Sequence, residues 1–316
     1  MKYLIPFLLA AATLTTCGPQ QTQNSSPVAP ASTQGRVNVP GTRLFVVPPP
    51  GFHVSTSFTG LERDEQTAIQ ITDLVGGSFY TNAATFDRAG FEAQGAQVLD
   101  YRDTTINNFP AKYVCVQGSA SSKSYGLAFG DSTFCVLAFS LVPLEESAAS
   151  VQKIKQALFT MTYDKALKVD PFATAPFTLD DRNAKFKFFK FTGNMYMYMP
   201  DTTAHKAADN APMVTVVALP KDPAMDLPGL AALMVSTLEK YGLTDAEVRH
   251  QTPVQVSGQP GIESEVYGTM KGKKALFYQL ILLNADHSFL VQGVIPEQLP
   301  ASLRDVREFA HTIRLK

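Results

Sequence analysis

An internal repeat narrows the possible folds of this chain more than any other feature. Val151, Ile154, Leu158 and Met161 recur at i, i+3, i+7 and i+10; Leu303, Val306, Ala310 and Ile313 do the same, each 152 positions after its counterpart. That spacing lays four apolar side chains along one stripe of a helix, a stripe that must be covered by another layer. Upstream of the first stripe, Asn108-Phe109-Pro110 leads into three expected hairpin-linked strands, Ala111–Gly118, Lys123–Gly130 and Thr133–Phe139. Gly258-Gln259-Pro260 leads into a second meander. Asp131-Ser132-Thr133-Phe134 stands at the last hairpin of the first meander and Asp286-His287-Ser288-Phe289 at that of the second, and Pro143 and Pro296 close them. An ordered series of matches at a nearly constant offset is hard to obtain by accident.

The front of each half matches more loosely. Arg43–Val47 and Phe52–Phe58 are joined by Pro48-Pro49-Pro50-Gly51, and Phe186–Phe191 and Met195–Met199 by Thr192-Gly193-Asn194, a hairpin-type loop. A third strand follows in each half (Thr67–Asp73 and Met213–Leu219), then a helix. The second of these helices has Asp226 as a cap, Pro228 in its first turn, an apolar face of Leu230, Leu233, Met234, Leu238 and Tyr241, and Gly242 as its stop. Its counterpart spans about Ala83 to Gln94 and ends at Gly95. The expected class is therefore α+β: two tandem repeats, each an antiparallel sheet with helices packed on it. The expected organisation is a leader at 1–16, a tether at 17–40, a first domain at 41–164, a linker at 165–185 and a second domain at 186–316. This order of elements and turns resembles the PsbP-like (DcrB-like) fold over about 42–165 and again over 184–316. Members of that superfamily are mostly accessory or interaction proteins rather than enzymes, and the resemblance implies the same here. No functional motif of the family is matched, so no site residue follows from it.

Met1-Lys2-Tyr3 is a short cationic head, and Leu4–Leu14 is an apolar stretch with Pro6 inside it, far short of the roughly 20 residues that span a bilayer. It reads as a targeting peptide. Leu14-Thr15-Thr16-Cys17 follows, which resembles a bacterial lipoprotein signal, with Thr16 where Gly, Ala or Ser is usual. Two readings stand. An ordinary peptidase cuts after Ala10-Ala11-Ala12 and Cys17 is a stray thiol, or Cys17 is acylated, becomes the N-terminus and holds the protein on a lipid bilayer. Gly18 to Pro40 is mostly Gln, Ser, Thr, Pro and Asn, with Arg36 its only charge, the composition of a leash. The expected address is the bacterial cell envelope, lipid-anchored and outside the cytoplasm.

Net charge is −1 and no basic cluster is large enough to suggest nucleic acid, so no nucleic-acid partner is expected. Cys115 and Cys135 are expected on the two strands flanking a common neighbour, about 9–10 Å apart, beyond the roughly 7 Å that a disulfide bridges. They read as buried thiols. Gly130-Asp131-Ser132 looks like an esterase nucleophile block, but hairpin turns favour Asp-Ser for local backbone bonding. The histidines 53, 205, 250, 287 and 311 have no metal-ligand spacing, and His311 falls near a helix C-terminus. Glu263 and Glu265 alternate along a strand and share a face, with Tyr113 and Cys115 as first-half counterparts. They could pair, or bind a cation, though a solvated sheet face is the simpler expectation. Lys271-Gly272-Lys273-Lys274 reads as a charged hairpin turn. Phe186–Phe191 and Met195–Met199 carry apolar side chains on both faces and need cover on both. No catalytic residue, cofactor or metal is expected. The leading reading is a non-catalytic envelope lipoprotein that binds another protein or supports an assembly. A carrier or sensor of a small apolar ligand is second, and an envelope hydrolase third.

Overall fold

The computed structural model describes residues 35–316 except 57, 65, 118–120, 174, 183–184, 193–194, 201–210, 223 and 297–300. The leader, Cys17 and most of the tether lie outside the described residues. The first half contains β1 (Val37–Asn38), β2 (Leu44–Val46), β3 (His53–Val54), β4 (Gly60–Asp64), β5 (Thr67–Val75), α1 (Phe79–Asn82), α2 (Arg88–Glu92), β6 (Gln97–Ile106), β7 (Phe109–Gln117), β8 (Ser122–Gly130), β9 (Phe134–Pro143), α3 (Ala148–Phe159) and β10 (Thr162–Tyr163). The second contains β11 (Phe177–Thr178), β12 (Phe186–Thr192), β13 (Met195–Pro200), β14 (Met213–Pro220), α4 (Leu227–Lys240), β15 (Leu243–Val256), β16 (Gln259–Met270), β17 (Lys273–Leu283), β18 (His287–Pro296), α5 (Ser302–Ala310) and β19 (Arg314–Leu315).

Each half builds one seven-stranded antiparallel sheet, ordered β3-β4-β5-β9-β8-β7-β6 in the first and β12-β13-β14-β18-β17-β16-β15 in the second. The two orders are the same: three strands in sequence order, then four in reverse. Hairpin chemistry explains the reversed part. Asn107 and Asn108 both take positive φ between Ile106 and Phe109, as do Ser257 and Gly258 between Val256 and Gln259. These are two-residue turns whose twist suits the flanking strands. Lys271 and Gly272, also at positive φ, make the same kind of turn between β16 and β17.

Helices cover both faces of each sheet. α3 buries Ile154, Ala157 and Leu158 on one face of the first sheet, where Met161 joins them, and α1 and the loop after it bury Phe79, Ala83 and Phe86 on the other. α5 buries Val306, Phe309 and Ala310 on the second sheet, where Ile313 joins them, and α4 buries Leu230, Met234 and Leu238 on its reverse. Asp226 caps α4 by accepting from the Gly229 N–H at 2.8 Å, and Gly242 ends it at φ 96°.

Four expectations need correction. The helix anticipated at Ala83 to Gln94 is only the short α2, which starts after Asp87 caps it by accepting from the Gly90 N–H, while α1 ends at Asn82, ahead of the expected range. Leu44–Val46 belongs to no large sheet. It pairs with β1 and β10 in a small three-stranded one, while β4 supplies the strand matching β13. The expected tether at 17–40 therefore ends in strand β1, with Val39 fully buried beside it. The expected linker at 165–185 likewise contains β11, which pairs with β19 and buries Phe177 in the second core. Two-residue strands carry no periodicity to read.

Asp73 ties the small first sheet to the large one. It is 5% exposed, and it accepts from the Arg43 N–H and from the Tyr163 hydroxyl, both at 3.0 Å. Burial pushes its carboxyl above the usual range despite those bonds. A carboxyl raised on folding stabilises below its unfolded pKa, and that contribution is lost as pH rises through the folded one. Asp73→Asn keeps an acceptor for Arg43 while Tyr163 can turn its hydroxyl to accept. The variant is expected to melt a few degrees higher than the natural protein at pH 7, with the gap closing at acid pH, as followed by circular dichroism.

Candidate functional site

A network of charged side chains among the described residues links α5, which packs on β17 and β18, to the neighbouring strand β16. Register places Thr252, Glu263 and Leu280 in one row and His250, Glu265 and Tyr278 in the next. Both glutamates therefore point to the α5 face. A side chain on Gly293 would meet Val306 Cγ1 at 2.4 Å, so the absence of one lets the helix lie close. Arg307 and His311, one turn apart beside the buried Val306 and Ala310, then reach the strand.

Arg307 spans both carboxylates, donating from Nε to Glu263 Oε1 at 2.5 Å and from its terminal nitrogen to Glu265 Oε1 at 2.6 Å. The other Glu263 oxygen meets His311 Nε2 at 2.8 Å and accepts from the Tyr278 hydroxyl at 3.1 Å. Burial alone would raise the Glu263 carboxyl, but the bonds from His311, Arg307 and Tyr278 outweigh it and hold it below the usual range. Burial, then the neighbouring Glu263 charge, pushes the Tyr278 hydroxyl well up. Glu265 is 6% exposed; its second oxygen, Oε2, has no hydrogen-bond partner among the described residues, and it is not sealed from solvent. Glu265 lines a cleft of about 270 Å³ together with His250, Thr252, Glu263, Ser264 and Arg307. The solvated sheet face expected for Glu263 and Glu265 is thus overturned: α5 covers them.

The first half has the same crossing with different chemistry. Tyr113 and Cys115 occupy the glutamate places, with Arg102 opposite Tyr113 where Thr252 faces Glu263. Lys155 and Phe159 stand 152 positions before Arg307 and His311. The Arg102 guanidinium lies 4.8 Å from the Tyr113 ring and 5.5 Å from the Phe159 ring, and the Lys155 ammonium lies 4.9 Å from the Tyr125 ring. Aromatic rings and cations fill the crossing in one half; an ion network with an open side fills it in the other.

The opposite face of the second sheet is polar at the same level. Gln251 Nε2 donates to Ser264 at 3.3 Å, and Gln279 Nε2 to Gln292 at 3.1 Å. This row separates two apolar clusters under α4. Elsewhere, Arg63 binds Glu146 through both terminal nitrogens, at 3.1 and 2.7 Å, and Asp64 through Nε at 2.8 Å, beside an open cleft of about 520 Å³. Its donors are spent on holding the β4–β5 turn to the start of α3.

The remaining sequence candidates disperse. Asp131 accepts from the Thr133 N–H and hydroxyl, both at 2.7 Å, and from Lys165, so Gly130-Asp131-Ser132 is a turn. His53 lies 3.5 Å from Glu62; His287 is half-buried, with its pKa lowered by burial; His205 lies outside the described residues. No group of three or more His, Cys, Asp or Glu among the described residues suits a metal ion. Cys115 and Cys135 are free and buried, on opposite faces of the first sheet, and burial pushes the Cys135 thiol up to about 12. They flank β8 five positions apart rather than side by side, opposite Tyr125 and Gly130. Tyr196 and Tyr198 pack in the core beneath α5, while Met195, Met197 and Met199 lie half-buried on the other face. No described helix is long and apolar enough to cross a membrane.

No family model matches the sequence, and no relative is found among curated proteins. Among solved structures, LpqN of Mycobacterium tuberculosis, involved in cell envelope biogenesis, is similar at 9% identity over 44% of this chain and 83% of its own, with a TM-score of 0.35. Cyanobacterial PsbP from Synechocystis is similar at 11% over 43% and 96%, with a TM-score of 0.30. The immunity protein TplEi of the Pseudomonas aeruginosa T6SS is similar at 11% over 90% and 98%, with a TM-score of 0.28. Likenesses this distant carry no argument about activity.

Removing Arg307 strands two buried carboxylates. Arg307→Ala is expected to cost about 2–3 kcal/mol at pH 7, less than a fully buried pair because 40% of its side chain meets solvent. Glu263 has a lowered pKa, so its contribution is present above the unfolded value and lost as pH falls through the folded one. The penalty should therefore shrink toward pH 3, as measured by urea unfolding across that range.

Proposed function

We propose that this chain is a non-catalytic, lipid-anchored binding protein of the bacterial cell envelope, built from two PsbP-like units related by duplication. The observation that carries the non-catalytic part is the use made of the best-assembled charged groups. Arg307 spans Glu263 and Glu265, and His311 bonds the same Glu263, so both Glu263 oxygens, one Glu265 oxygen and the imidazole are engaged with one another. General acid–base work needs such groups aimed at a substrate proton; here they fasten α5 to its sheet. The cleft beside them is open and lined by charged and polar side chains, which suits contact with a partner's polar group better than enclosure of a small apolar molecule.

The anchor rests on sequence: the cationic head, the short apolar run, Cys17 and the uncharged leash form one coherent order. Two acyl chains on Cys17 would hold firmly where one would not. The identical strand orders of the two sheets support duplication.

In-cell crosslinking and affinity capture of the natural protein beside Cys17→Ser tests this reading. The expected result is a specific envelope protein captured by the acylated form and lost, or reduced about tenfold, with Cys17→Ser. An unmodified N-terminus by mass spectrometry would remove the anchor, and repeated recovery of an apolar metabolite instead of a protein would favour a carrier.

A further inference from the structure

We propose that the cleft between β15 and α5 receives a guanidinium group, the side chain of an arginine on the protein's partner. The inference rests on the binding-protein reading and names the chemistry of its contact. Arg102 opposite Tyr113 in the first half and Thr252 opposite Glu263 in the second occupy the same place on the same edge strand. In the first half the chain fills the crossing with its own cation, the Arg102 guanidinium lying across the Tyr113 and Phe159 rings. In the second half that side chain is missing, and about 270 Å³ remains open where it would lie.

The floor has changed in the same sense. Tyr113, Cys115 and Phe159 are replaced by Glu263, Glu265 and His311, so an aromatic seat for a cation becomes a carboxylate one. Arg307 supplies one positive charge against two carboxylates, and Glu265, 6% exposed and part of the cleft lining, keeps Oε2 without a hydrogen-bond partner among the described residues. A carboxylate oxygen that is largely removed from water and unpaired is a strong acceptor for a charged donor. A guanidinium is planar, weakly hydrated and bonds carboxylates edge-on, which favours it over an ammonium at such a site. The cleft is also slightly smaller than the roughly 300 Å³ at which pockets for whole small molecules begin, so a side-chain head fits it better than a metabolite.

The test titrates the purified protein with N-acetylarginine amide and, in parallel, with N-acetylcitrulline amide, which has the same shape without the charge. Backbone amide shifts at positions 250–252 and 263–265 are followed by NMR. Saturable shifts with the arginine compound, at least about tenfold weaker with the citrulline compound, are expected. Thr252→Arg, which places the first-half cation in the cleft, should abolish them, and Glu265→Gln should weaken them by a similar factor. Thr252 is exposed on an edge strand, so a thermal melt of Thr252→Arg should match that of the natural protein. Equal binding of both compounds, or undiminished binding by a folded Thr252→Arg, overturns the proposal.

The same variant in the crosslinking experiment separates sources and failures. Loss of both arginine binding and the captured partner supports the partner's arginine as the occupant. Arginine binding lost with the partner retained overturns that source, and leaves the binding-protein reading standing. Arginine binding by the natural protein with no partner captured sinks the binding-protein reading instead.

Discussion

Ile154, Leu158 and Met161 in the first half, and Val306, Ala310 and Ile313 in the second, are wholly withdrawn from water against their sheets. Everything else in the two halves is arranged around that contact. A single Leu- or Met-sized side chain buried this way contributes about 1.5–3 kcal/mol, and three or four per helix set both its position and its rotation. Once the rotation is set, the neighbours of the stripe have fixed places. Lys155 and Phe159 fall beside Tyr125 and Tyr113, and Arg307 and His311 fall beside Glu263 and Glu265. The apolar stripe thus decides which polar atoms can meet, and the second half uses that placement for charge where the first uses rings.

Charge at the α5 crossing and amides under α4 occupy one level of the second sheet, above and below the same strands. On the face away from α3 the first sheet is apolar in the corresponding row, with Val114, Gly126 and Phe139. Phe139 there lies over Gly126, where the second sheet has Gln292 opposite Gln279. Gln279 leaves its carbonyl oxygen without a partner among the described residues. Unpaired buried polar atoms are costly; the first sheet carries one at the Tyr113 hydroxyl and the second carries one at the Gln279 carbonyl oxygen. The two halves share a frame and differ in what the frame holds.

The sequence made the large features legible because they are periodic. The helix stripes, the Asp226 cap with its Gly242 stop, the meanders and the pairing of Glu263 and Glu265 with Tyr113 and Cys115 all follow from spacing. Edge strands were harder to see. β6 and β15 are mostly exposed on both faces, so no apolar–polar alternation marks them. Their one local signal is the turn dipeptide at the end, Asn107-Asn108 or Ser257-Gly258. The strands β1, β10, β11 and β19 are two residues long and exist only as partners. The ion network needed one more fact than spacing supplies, namely which side of α5 faces β16. Arg307 and His311 directly follow Val306 and Ala310, which in hindsight puts both cations within reach of a strand beneath.

The short strands do one further thing. β10, after the last helix of the first half, pairs with β2 near that half's beginning, and β19 pairs with β11 in the same way. Each half therefore brings its exit back beside its entrance, like a loop of rope with both ends held in one hand. A segment with adjoining ends can be copied next to itself without stretching its neighbours, and trimming either end would loosen the opposite one as well.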